Sequence, residues 1–140
     1  MPVFPSVEWF QALRDVVNQD DEYRHFGTCD AVVGIKVDDR LFKLTFEAFD
    51  ITEAAEIGPN DLRDCDFYLD MPYESWKEML QNIRANDGAD LEHTLNTLDL
   101  NLNQIAKSDD EYRRDMFYRY NQSFQQVFDD SRQVETEFAR

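Results

Sequence analysis

From Asp64 to Ile83 the chain reads DCDFYLDMPYESWKEMLQNI, and its periodicity changes partway along. Cys65, Phe67, Leu69 and Met71 alternate with Asp66, Tyr68 and Asp70, the two-residue repeat of a strand with one apolar side. Pro72 comes next, where a first helical residue needs no N–H. Tyr73, Trp76, Met79, Leu80 and Ile83 then recur at three- and four-residue steps, which is an apolar stripe on a helix. A one-sided strand therefore feeds directly into a one-sided helix. The stripe must be covered by the rest of the protein or by something the protein binds.

Upstream of this unit the strand pattern continues. Ala31, Val33, Ile35 and Val37 alternate with Val32, Gly34 and Lys36, and Phe42, Leu44 and Phe46 alternate with Lys43, Thr45 and Glu47 across the turn Asp38-Asp39-Arg40. That is an antiparallel hairpin with one wet face. A third strand, Ile51 to Ile57, ends at the turn signal Gly58-Pro59-Asn60. Nearer the N-terminus, Ser6 is placed to cap a helix whose apolar face is Trp9, Phe10, Leu13, Val16 and Val17. A further helical turn through Tyr23 and Phe26 closes at Gly27, a residue at ease with positive φ.

An early tryptophan on an N-terminal helix, a meander of three strands, and the run from Asp64 to Trp76 resemble the sterol carrier protein 2 domain. The matching residues are Asp64, Cys65, Phe67 and Leu69 on the strand, then Pro72, Glu74 and Trp76 at the helix start. The likeness extends to about Ala85 and weakens beyond it. It implies an α+β fold, a five-stranded mostly antiparallel sheet with helices packed on one face. It also implies an apolar tunnel between the two layers for sterols, fatty acids or fatty acyl-CoA. Val33, Ile35, Phe42, Leu44 and Phe46 would line that space from the meander, with Phe67 and Leu69 beside them. Trp76, Met79, Leu80 and Ile83 would cover it from the helix, and Met116 and Tyr120 would close its end. The same residues equally suit a dry core, because a pocket and a core share one composition.

After Ala85 two patterns compete. Leu91, Leu95, Leu98, Leu102 and Ile105 follow a 4-3-4-3 spacing, which suits a helix. Leu98, Leu100 and Leu102 also alternate with Asp99, Asn101 and Asn103, and such Asx residues are poor helix formers. The weaker helix propensity favours a short helix from Asp90 to Leu95 and a strand from Thr97 to Leu102, in the place of the family's fifth strand. Ser108-Asp109-Asp110-Glu111 then has the form of a capping box. Tyr112, Met116, Tyr120, Phe124, Val127 and Phe128 keep a helical stripe for about five turns. Val134 and Phe138 extend the pattern, so the reading is one domain over 1–140 in which 108–140 is an extended C-terminal helix. Its second half, past Asp129-Asp130, is expected to fray or to meet a second copy in a homodimer.

Composition excludes several functions. With 140 residues the chain is one domain. Acidic residues outnumber basic ones 30 to 14 for a formal charge of −16, so no Lys/Arg stripe exists to displace counterions from nucleic acid or to hold an anionic membrane surface. The absence of a lysine-rich rim also disfavours the CoA phosphates and leaves a free lipid or steroid as the preferred ligand. No membrane-spanning run and no signal-peptide pattern occurs. The two cysteines, Cys29 and Cys65, form no CxxC and are expected as buried free thiols in a reducing cytoplasm.

Nothing in the sequence has the form of a motif-bearing enzyme: GxSxG, HExxH, a P-loop and a dinucleotide glycine pattern are all missing. His25 and His93 are too few and too far apart for a metal site, and neither a metal nor another cofactor is expected. His93 and Tyr120 are the polar groups best placed to polarise a ketone or hold a ligand head group. Three functions follow: a carrier for a hydrophobic ligand, a small enzyme or accessory subunit of lipid or steroid metabolism using His93 and Tyr120, and a ligand-free interaction or dimerisation domain.

Overall fold

The alternation between Ala31 and Glu47 builds the middle of the sheet. The computed structural model describes residues Met1–Ala139. A short strand β1 (Val3–Phe4) and helices α1 (Val7–Asn18) and α2 (Asp21–His25) precede the meander β2 (Ala31–Val37), β3 (Arg40–Glu47) and β4 (Asp50–Ile57). A 3-10 turn at Pro59–Asp64 leads into β5 (Phe67–Met71) and α3 (Tyr73–Asn86). Then come α4 (Leu95–Asn101), β6 (Ala106–Lys107), α5 (Glu111–Arg114), α6 (Met116–Arg119) and α7 (Asn121–Asp129). A second 3-10 turn at Asp130–Gln133 and β7 (Glu137–Phe138) complete the order.

Five strands form one sheet in the order β4-β3-β2-β5-β6. Neighbours are antiparallel except β2 and β5, which run parallel. Register makes one face continuous: Val33 stands opposite both Leu44 and Phe67, and Ile35 opposite both Phe42 and Leu69. All six are buried, beneath α1, α3 and α7. The opposite face carries cross-strand ion pairs, Lys43 to Glu53 at 2.9 Å and Lys107 to Asp70 at 2.8 Å. Exposed pairs of this kind contribute little individually, about 0–1 kcal/mol. Burial of the first face is what drives the fold.

Local chemistry explains how the long helices are fixed. The Ser6 hydroxyl accepts from the Trp9 N–H at 3.1 Å, as its capping position predicts. At the start of α3, Asp38 in the hairpin turn accepts from the Tyr73 N–H at 3.0 Å, so the hairpin itself caps the helix. One turn on, the Trp76 indole N–H donates to the Lys36 carbonyl at 2.9 Å and pins α3 to the central strand. On the outer side of the sheet, Gly34 admits the 3-10 turn. A Cβ there would lie 2.8 Å from the Cβ of Tyr68 and 3.2 Å from a Leu62 methyl.

The region after α3 differs from the expected short helix and strand. Residues 91–94 turn, α4 occupies the stretch read as a strand, and the fifth strand is Ala106–Lys107. The helical period prevails because Leu95 and Leu98 are buried on one side while Leu100 and Leu102 face solvent. Asp99 is the residue that decides the local path. Its buried carboxylate accepts from the Ile105 and Ala106 N–H groups at 2.7 and 3.1 Å, which turns the chain back to pair with β5.

The C-terminal helix is present, divided into α5, α6 and α7, and Asp110 rather than Ser108 caps it. Ser108 instead donates to the Asp66 carbonyl at 2.8 Å. The expected helical run through Val134 and Phe138 is replaced by the second 3-10 turn and β7, which pairs in parallel with β1. Nor does the tail fray: Asp130, Ser131 and Val134 are buried, against the protein's own α1 and α3.

Candidate ligand-binding site

The space between the sheet and its helices is bounded by aromatic rings at both ends. At one end Phe4 packs on Trp9 at 4.8 Å, Phe10 on Phe42 at 4.7 Å and Trp76 on Phe128 at 5.5 Å. At the other end Phe124 reaches Phe46 at 5.3 Å and Phe67 at 5.4 Å, and Phe67 also meets Phe117 at 5.9 Å. Rings contributed by the sheet and by α6 and α7 thus touch across the gap. In this conformation the protein's own side chains occupy it.

Each sequence-predicted site residue can be placed. Val33, Ile35, Phe42, Leu44, Phe46, Phe67 and Leu69 face inward from the sheet and are buried. Trp76, Met79, Leu80 and Ile83 are buried on α3. Met116 and Tyr120 sit half-buried at the margin, packed against this core. All belong to one cluster. Phe117, Phe4 and Phe10 also contribute, and the first two did not stand out in sequence. Phe117 neighbours Met116 on a four-residue helix too short to show a period, and Phe4 lies on a two-residue strand.

The margin near Tyr120 opens to solvent. A hollow of about 360 Å³ is bordered by Phe26, Asn96 and the segment from Tyr118 to Ser123. Tyr120 stacks edge-on to Phe124 at 6.3 Å, which links this hollow to the aromatic interior. A second hollow of about 250 Å³ lies by Leu62, Arg63, Phe67, Tyr68 and Arg113. Its Arg113 is already engaged by Asp66 at 3.2 Å and the Cys65 carbonyl at 2.6 Å.

His93 and Tyr120 are not brought together; among the described residues no hydrogen bond or ion pair joins them. His93 Nδ1 lies 2.6 Å from Asp90 and Nε2 lies 3.6 Å from Glu78. The Asp90 hydrogen bond, reinforced by the Asp90 and Glu78 charges, raises the imidazole above its ordinary value. With a carboxylate at each nitrogen, this histidine ties a loop to α3. Asp66 accepts from the Val32 N–H at 2.7 Å and from Arg113, which makes it a brace for the β2–β5 junction. Cys29 and Cys65 are buried free thiols, pushed up by burial to about 12 and about 11. Neither is a ready nucleophile at neutral pH. Among the described residues no group of three or more His, Cys, Asp or Glu is arranged to hold a metal ion, and no helix is long and apolar enough to cross a membrane.

The comparisons with known proteins agree with this architecture. No protein-family model matches the sequence, and no curated protein matches it. Among solved structures, the chain superposes on one titled "Crystal structure of sterol carrier protein 2" with a TM-score of 0.71. The match covers 91% of this chain and 96% of that one at 16% sequence identity. The fold is therefore that of sterol carrier protein 2, as the run from Asp64 to Trp76 suggests, and the likeness extends well past Ala85 into the C-terminal helices.

Proposed function

We propose that this chain is a binding or carrier domain for a hydrophobic small molecule, held between the inner face of the sheet and helices α3, α6 and α7. The observation that carries the reading is the lining itself. Two elements of different period, the meander and α3, turn unbroken apolar faces toward one shared space, in a fold whose solved counterpart is titled a sterol carrier protein. Fold alone does not establish function; that space and its margin support the binding role. Phe117 and Phe124 stand on short helices joined by single residues, Asp115 and Tyr120, and are the rings a ligand would displace. Tyr120, beside the hollow next to Phe26, is the proposed place for a polar head group. A steroid or free acyl lipid suits this margin better than an acyl-CoA. Arg119, the cation in the hollow's wall, is paired with Asp115 at 3.5 Å.

No chemistry is part of the proposal, since His93 has its nitrogens engaged away from Tyr120. A homodimer through the tail is not part of it either, because the tail packs on its own helices. The buried thiols suit a reducing cytoplasm, where we place the protein. Titration with a fluorescent fatty acid and a fluorescent steroid tests the reading. Saturable uptake at one ligand per chain, weakened at least tenfold in Phe124→Asp but not in His93→Gln, is expected. No uptake of either probe by the folded protein would reject it.

A further inference from the structure

Two aspartates far apart in sequence meet where the tail leaves α7. Asp130 is fully buried, and the single amide nitrogen of Gln126 donates to Asp20 at 3.0 Å and to Asp130 at 3.1 Å. Among the described residues the Oδ2 atom of Asp130 has no hydrogen-bond partner, and neither does the buried hydroxyl of Ser131 beside it. A buried carboxylate oxygen with no donor, next to a second carboxylate, is costly unless one of the pair carries a proton. A proton on Asp130 supplies that donor, directed at Asp20.

The other charges around the pair do not replace it. Arg132 Nη1 reaches Asp130 only at 3.4 Å, and its Nε is committed to Asp87, beyond α3, at 2.7 Å. Asp129, the preceding residue on α7, is occupied by the Ala89 N–H at 3.1 Å and by the Gln125 amide at 3.0 Å.

Beyond Asp130 the chain crosses one aromatic end of the interior. Val134 offers its carbonyl to Arg84 at 2.8 Å, and Thr136 accepts from the Trp9 indole N–H at 2.9 Å. The Glu137 and Ala139 N–H groups donate to Pro2 and Phe4 carbonyls at 3.0 and 3.1 Å, and Phe138 lies on Phe4 at 6.2 Å. Beneath this strap are Phe4 and Trp9, with Trp76 next to Phe4 at 6.5 Å. Apart from buried Val134 and the Phe138–Phe4 contact, the attachments are single hydrogen bonds, so the strap depends on how it is anchored at Asp130.

We propose that residues 130–139 form a strap over the aromatic end of the interior, latched by a proton shared between Asp130 and Asp20, and that loss of this proton opens it. The inference deepens the carrier reading, and its gating role rests on that reading. Burial, then the Asp20 hydrogen bond and charge, push Asp130 up to about 8 in the closed strap. A solvated aspartate titrates near ~4. The closed state therefore holds one more proton than the open state between those values. Raising the pH through that window favours opening about tenfold per unit, and the effect levels off above the closed-state value.

Hydrogen exchange on the full chain tests this, with protection factors corrected for base catalysis and measured from pH 5.5 to 9. Protection at Val134, Glu137 and Ala139 is expected to fall about tenfold per pH unit up to about 8 and then flatten. Ile35 and Leu44 in the sheet should hold. In Asp130→Asn, whose amide can still donate to Asp20, the strap should stay protected at all pH values; Asp20→Asn provides a second variant without the like charge. Loss of strap and sheet protection together, or the same pH slope in both variants, would overturn the latch. Uptake of the fluorescent fatty acid should quicken over the same pH range. A strap that opens without any uptake would keep the latch and count against the carrier reading.

Discussion

At the scale of single residues, several positions that fix the local path of the chain are polar or small, while the large apolar residues supply the core. Asp99 reads in sequence as one polar position of an alternating strand, yet its carboxylate holds the Ile105 and Ala106 N–H groups and the Tyr118 hydroxyl. Asp99→Ala leaves those donors without an acceptor and should cost about 3 kcal/mol, read by urea unfolding. Gly34→Ala forces a Cβ into Tyr68 and should cost about 1–3 kcal/mol in the same assay. At His93 the raised folded-state value fixes the sign. Its contribution is complete below the ordinary histidine value near ~6.5 and is lost as pH rises through the folded value. Protection of the loop at 90–94 should therefore fall as pH rises above the ordinary histidine value in the parent and stay flat in His93→Gln.

Elements were legible where one period runs long enough to repeat. β2, β3, β5 and α3 each repeat their pattern at least three times, and the structure places them as read. The stretch after Ala85 defeats this reasoning because the same leucines satisfy both periods. The choice between them is made by a buried carboxylate bonded to amides six and seven residues away. The C-terminal stripe is legible as helix, but not its breaks or its return to β1, since a two-residue strand has no period. Asp38 illustrates a link between elements. It looks like an ordinary turn residue, yet it caps α3 from the hairpin. Asp38→Ala should lower stability by about 1 kcal/mol and loosen the first turn of α3, seen as faster exchange at Tyr73.

At the scale of the whole molecule, a charge of −16 spread over a small surface opposes compaction. Melting temperature should rise between 0.1 and 1 M salt as this repulsion is screened, an outcome that calorimetry would check. The candidate site shows the same division between what sequence reveals and what it hides. Which residues face the interior follows from alternation and helical spacing, and all those named belong to the core cluster or, as Met116 and Tyr120 do, pack against it. Whether that interior opens for a ligand depends on volumes and on rings from Phe4 and Phe117, whose placement comes from the tertiary fold.

The central claim is that this interior takes up a hydrophobic ligand. Native mass spectrometry of the protein after incubation with a steroid and with a long-chain fatty acid, each at modest excess, tests it most directly. The account predicts a mass increment of one ligand per chain that survives gentle activation and is lost in Phe124→Asp. A bare chain mass with both compounds, from protein that melts cooperatively, would contradict it.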